Sequence, residues 1–277
     1  MTTAQGLLVS GVRHLTAGGI DGAAQDARVL LAHVLGIPRD RLTLVLADAV
    51  TADQEAEFDA AIAARMARQP VAQIIGKRLF YGRSFSVTGD VLDPRPETEE
   101  LVAEALKHPF ETVLDLGTGS GCILLSLLAE RSDATGIGAD LSDAALRVAT
   151  RNRTALDLDA RAEFVSGSWF GPVQGRFDLI VSNPPYIAAD EMTGLSQDVL
   201  LWEPHLALTP GGDGLEPYRI LTRQAPDHLN TNGRLIVEIG PSQGPAVAEM
   251  FRAAGFEMVR VGQDMDGRDR IVCGDLA

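Results

Sequence analysis

The sequence predicts an α/β protein: a doubly wound, Rossmann-like sheet of seven strands ending in an antiparallel hairpin, with a small helical region and a connecting β-hairpin ahead of it. Three observations carry this. From Thr112 onward, short apolar runs bounded by turn residues alternate with helical stretches. The last two runs, Glu257–Val261 and Arg270–Cys273, are joined only by Gly262–Asp269, too little for a crossover helix, so they must pair antiparallel. Before about residue 73 the pattern is Ala-rich and helical instead. The expected domains are a helical domain over 1–73, a hairpin linker over 74–93 and the α/β domain over 94–277.

In the helical region, the apolar run Ala27–Leu35 is closed by Gly36 and Pro38. Thr51-Ala52-Asp53-Gln54 fits a capping box, in which the Thr hydroxyl and the Gln side chain each satisfy a free backbone N–H. Phe58, Ile62 and Met66 follow at four-residue spacing and are expected on one core-facing stripe. The period then changes. Leu79–Tyr81 and Ser84–Val87 read as a hairpin with its turn at Gly82-Arg83. Two prolines make Asp93-Pro94-Arg95-Pro96 a stiff extended connector, with a helix over Glu97–Leu106. The strands expected next are Thr112–Leu116, Ala134–Asp140, Ala162–Ser166, Phe177–Ser182 and Arg234–Ile239, before the terminal pair. Helices are expected over Gly121–Arg131, Asp143–Thr154, Leu215–Leu229 and Gln243–Ala254.

Composition narrows the function. Lys and Arg number 24 against 38 Asp and Glu, a net charge of -14, which opposes a long electrostatic grip on nucleic acid. Cys122 and Cys273 lie far apart and the five histidines are scattered, so no metal site is expected. Neither a basic-then-apolar leader nor a bilayer-length apolar run is visible, which makes the cytoplasm the expected location, without membrane contact.

Two segments carry chemistry. Val113-Leu114-Asp115-Leu116 runs into Gly117-Thr118-Gly119-Ser120-Gly121, where glycines let the backbone pass under a ligand and turn into a helix. Cys122 stands where a dinucleotide fingerprint would need its third glycine. The spacing after an acidic strand instead fits an S-adenosylmethionine loop. Asp140 ends the next strand, about 20 residues on, where an acid accepts both ribose hydroxyls. Leu141 follows it at the same edge. Asp115 is read either as part of the site or as an anchor for the loop backbone. Ser168 and Trp169 follow the third strand, and Trp169 has two readings, a flat ring beside adenine or domain core.

The second segment is Asn183-Pro184-Pro185-Tyr186, after the buried strand that starts at Phe177. The prolines stiffen the turn, so the Asn183 side chain and the Pro184 carbonyl can face one point, with Tyr186 across it. Two acceptors that take both hydrogens of a planar NH₂ group aim its lone pair at a sulfonium methyl. They also stabilise the positive charge that grows on nitrogen during transfer. No general base is needed, because the methylated nitrogen is acidic.

These pieces, with Phe80-Tyr81-Gly82, Pro94–Glu99, Gly212–Leu215, and Glu238-Ile239-Gly240 with Gln243, resemble the peptide chain release factor glutamine methyltransferases, the PrmC/HemK family. The resemblance spans roughly residues 74 to 274 and departs at Asp93, where an aliphatic residue is expected. It implies S-adenosylmethionine-dependent N5-methylation of the glutamine in the Gly-Gly-Gln motif of class-one release factors. It further implies cofactor contacts from Gly117–Gly121, Asp140 and the Ser168-Trp169 region, and from Asn183 where the two sites meet. The substrate amide would be held by Asn183, Pro184, Pro185 and Tyr186, with Arg95 and Glu97 lining the substrate cleft. A release factor is then the expected partner of a monomer, with no direct nucleic-acid contact. The alternative is a DNA adenine-N6 methyltransferase, whose acceptor cage is similar; the acidic balance opposes it.

Overall fold

The computed structural model describes residues 2–277. The chain forms two compact units: residues up to Lys77 together with Ser196–Trp202, and Arg78–Leu195 with Glu203–Ala277. No helix among the described residues is long and apolar enough to cross a membrane.

The first unit packs helices Ala4–Ala17, Ala23–Val34 and Ala52–Met66 around Leu7, Leu15, Leu30, Leu31, Phe58 and Ile62. The capping box at Thr51 forms as expected, with Gln54 N donating to the Thr51 hydroxyl and Thr51 N to the Gln54 side chain. Met66 departs from expectation and is exposed. At about 100° per residue, position i+8 lies roughly 80° around the helix from Phe58, whereas i+7 lies only about 20° away. That inner position is Arg65, which is buried and held by Asp26 at 2.7 Å and Asp198 at 2.8 Å. Asp198 belongs to the helix Gln197–Trp202, whose Trp202 indole donates to the Ala67 carbonyl and whose Trp202 carbonyl accepts from Gln73.

The second unit opens within a hairpin, β1 (Lys77–Phe80) and β2 (Arg83–Ser86), whose first residue, Lys77, ends the first unit. Its turn falls on Tyr81-Gly82, both at positive φ, one residue earlier than expected. Phe80 and Phe85 are buried in the same cluster as Leu101, Leu124 and Leu128, so the hairpin is part of this unit's core. The strands of the large sheet are β3 (Thr112–Leu116), β4 (Thr135–Asp140), β5 (Ala162–Ser166), β6 (Phe177–Ser182), β7 (Leu229–Glu238), β8 (Phe256–Gln263) and β9 (Asp269–Leu276). Their spatial order is β5-β4-β3-β6-β7-β9-β8. β5 to β7 run parallel, and β9 inserts antiparallel between β7 and β8. The terminal hairpin therefore forms as expected. β7 begins earlier than expected, at Leu229, because the preceding helix stops at His228.

Strand order reverses at β3: β4 and β5 lie on one side, β6 and β7 on the other. In open α/β sheets the crevice beyond the carboxyl ends at such a reversal is where ligands bind. The loop after β3 and the turn after β6 both emerge there.

Candidate active site

A cavity of about 280 Å³ opens at this edge, near the lower end of the roughly 300–1,000 Å³ typical of small-molecule pockets. Its wall includes Arg95, Thr98, Gly117, Thr118, Gly119, Ser120, Asp140, Leu141, Ser168, Trp169, Asn183 and Pro185. The loop and the turn converge because the sheet brings them together: Leu116 and Ser182 are register partners, and the Ser182 hydroxyl donates to the Leu116 carbonyl at 2.6 Å.

Main-chain bonds shape the glycine loop. Gly117 N and Thr118 N both donate to the Ala139 carbonyl, at 2.8 and 3.0 Å, and Gly121 N donates to Thr118 O. Gly117, Gly119 and Gly121 all have positive φ. A Cβ on Gly119 would meet nothing within 4 Å, so this stretch of backbone is laid open to the cavity. Gly121 is different: it is packed against Leu125, Ala149 and Phe164, behind the loop and off the cavity wall. Buried Asn152 braces the loop by donating to the Ser120 carbonyl.

The Asp140 carboxylate accepts from Gly119 N at 2.8 Å and Ser142 N at 2.9 Å. Burial raises its pKa, against the backbone donors Ser142, Gly119 and Leu141. A carboxylate offers about four lone-pair sites, so not all of them are taken by these backbone groups. Asp115 accepts from the Thr118 hydroxyl at 2.7 Å, and its second oxygen is buried without a partner. Burial pushes its pKa up to about 7. It is absent from the cavity wall and holds the loop through Thr118. Trp169 packs on the core and also lines the cavity. An exposed loop backbone, a part-buried acid at a strand end and an aromatic flank form a donor and shape set suited to an adenosyl cofactor.

The acceptor side is held by side chains. Asn183 Nδ2 donates to the Thr98 hydroxyl at 3.2 Å, and that hydroxyl donates to Glu238 Oε2 at 2.5 Å. Among the described residues, neither Asn183 Oδ1 nor the Pro184 carbonyl accepts a protein hydrogen bond. Tyr186 points its hydroxyl at Glu238, 3.5 Å away, and its carbonyl accepts from Gln243 at 2.9 Å. Burial holds the Tyr186 phenol well above its ordinary pKa. Pro184 and Tyr186 stand outside the cavity wall itself.

Arg95 lines the cavity with its guanidinium engaged by buried Glu203 at 2.6 and 2.7 Å. Glu97 is exposed and off the wall. Asp93 is buried, 3.8 Å from Arg78, and desolvation raises its pKa. The resemblance places Thr98 within the cleft-lining stretch Pro94–Glu99, while nothing in the sequence gives Glu238 a role in the site. The available signal was an acid ending the apolar strand Leu235–Val237, since a buried carboxylate must find donors. No His, Cys, Asp and Glu cluster suited to a metal occurs among the described residues.

Comparison with known proteins bears on the same residues. Residues 7–76 match the family model of the PrmC N-terminal domain, and residues 92–215 that of the methyltransferase small domain. A release factor glutamine methyltransferase from Cereibacter sphaeroides is 58% identical, over 97% of each chain. One from Rhodospirillum rubrum is 43% identical, over 95% of this chain and 82% of its own. Among solved structures, a methyltransferase from Pyrococcus furiosus superposes with a TM-score of 0.56 at 20% identity, covering 77% of this chain and 98% of its own. At that identity the likeness concerns the fold alone.

Proposed function

The chain belongs to the release factor glutamine methyltransferases, and we propose that it methylates the N5 side-chain amide nitrogen of the glutamine in the Gly-Gly-Gln motif of class-one release factors. The observation that carries this reading is the pair of unengaged acceptors, Asn183 Oδ1 and the Pro184 carbonyl, on a turn tied to the glycine loop through Ser182. S-adenosylmethionine, when bound, supplies an electrophilic methyl group on sulfur. Gly117, Thr118, Gly119, Ser120, Leu141, Ser168 and Trp169 would hold it, with Asp140 on the ribose. Residues 1–73 would serve release-factor recognition.

Asn183 Oδ1 and Pro184 O accept the two amide hydrogens, which orients the nitrogen lone pair. As positive charge builds on nitrogen, both acceptors bind it more strongly than in the ground state. Tyr186, tethered through Glu238 and Gln243, limits how far the glutamine side chain can turn. The methylated nitrogen then loses its proton to solvent, so no side chain acts as a base.

The test is transfer of labelled methyl to a release factor, to its Gln→Ala variant in the tripeptide, and to duplex DNA. Label should appear on the intact factor alone, as one methyl on the mapped peptide. Asn183→Ala should lower turnover by about tenfold or more with cofactor binding retained, the cost of one oriented transition-state hydrogen bond. Label on DNA, or equal label on the Gln→Ala factor, would overturn the reading.

A further inference from the structure

We propose that Thr98 and Glu238 are positioning residues: a one-way hydrogen-bond relay from Glu238 through Thr98 fixes which end of the Asn183 amide faces the substrate. The inference rests on Asn183 being the amide acceptor. An Asn side chain has a donor end and an acceptor end of nearly equal shape, and either can be turned forward. Only the oxygen end is useful against a substrate NH₂ group; the nitrogen end would oppose two donors.

The relay settles the choice by elimination. An ionised carboxylate only accepts hydrogen bonds, so the Thr98 hydroxyl must donate its single hydrogen to Glu238. That leaves Thr98 only lone pairs to offer Asn183, which must answer with Nδ2. Oδ1 is then the end of the amide turned away from Thr98. Chains of this kind also polarise each link, so the negative end of the relay makes Oδ1 a better acceptor. Thr98 and Glu238 are both buried, which keeps water from offering the hydroxyl a competing partner.

The arrangement can fail in one specific way. Protonated Glu238 could donate to Thr98, free the Thr98 hydrogen for Asn183 Oδ1 and reverse the amide. Burial pushes the Glu238 pKa up to about 7. Arg270 opposes that shift and Glu97 adds to it, while the Tyr186, Tyr218 and Cys122 groups also face this carboxylate. The folded value is raised, so the relay is intact above about pH 7 and lost as pH falls through it.

The experiment compares Thr98→Val, Thr98→Ser, Glu238→Gln and Asn183→Ala in steady-state methyl transfer to a release factor, with calorimetry of S-adenosylmethionine binding and urea unfolding as controls. Thr98→Val keeps the shape and removes the relay; its kcat should fall about tenfold, with cofactor affinity unchanged. Thr98→Ser restores the hydroxyl and should recover most of that loss. Wild-type kcat should decline below about pH 7, and Glu238→Gln should flatten that acid limb. Should Thr98→Val unfold, the Thr98→Ser rate and the Glu238→Gln pH profile still decide. Wild-type turnover in Thr98→Val alongside a large loss in Asn183→Ala, or an acid limb unchanged in Glu238→Gln, would overturn the relay alone. Full turnover in Asn183→Ala would overturn the amide assignment beneath it.

Discussion

The two walls of the cavity are built by different means. The glycine loop holds its form mostly through its main chain and the Ala139 carbonyl on the adjoining strand, with side-chain support from Asp115 on Thr118, Asp140 on Gly119 and Asn152 on Ser120. The Asn183–Tyr186 turn depends on side chains from distant parts of the chain: Thr98, 85 residues away, and Gln243, 57 residues from Tyr186. Behind these stands Glu238, 140 residues from its Thr98 partner. A wall of backbone offers a ligand shape and N–H groups. A wall of side chains offers acceptors whose direction can be set and tuned. The first suits a cofactor recognised by outline, the second a reacting nitrogen whose lone pair must be aimed.

The same substitution on each side tests this contrast. Gly214 has φ +74, and a Cβ there would run into the Tyr186 carbonyl oxygen. Gly214→Ala is expected to cost about 3 kcal/mol in urea unfolding, from left-handed strain plus overpacking. A loss below about 1 kcal/mol would show that the turn can move freely, and the contrast would break. Asp140→Ala should weaken S-adenosylmethionine binding by about 2 kcal/mol, roughly thirtyfold by calorimetry, through loss of ribose hydrogen bonds. Unaltered affinity would remove its ribose role. Gly119→Ala, in open space at φ +56, should cost only about 1 kcal/mol of stability. A cost matching that of Gly214→Ala would mean that the loop is as tightly braced as the turn.

The same distinction governs what could be read from sequence. The glycine spacing of the loop, the Thr51 box and the terminal hairpin are written in residues close together, so spacing reveals them, although the loop is also braced by Asp140 and Asn152. The Asn183 turn was visible as a proline-stiffened motif, but its supports were not, because nothing local says that Thr98 and Glu238 meet. Ser196–Trp202 lies within the stretch read as the α/β domain, yet it clusters with the first unit through Asp198 and Trp202, contacts set by tertiary packing. Met66 shows a limit of another kind: four-residue spacing drifts around the helix, and the buried position falls on Arg65.

The Ser182 hydroxyl on the Leu116 carbonyl ties together the ends of adjacent strands. Neighbouring strands lie about 4.8 Å apart, a spacing that main-chain hydrogen bonding allows to vary very little. If the glycine loop holds the methyl donor and the Asn183 turn the acceptor, as proposed, their separation is inherited from the pitch of the sheet. Loops on either side could then drift in sequence and length while that separation stays the same.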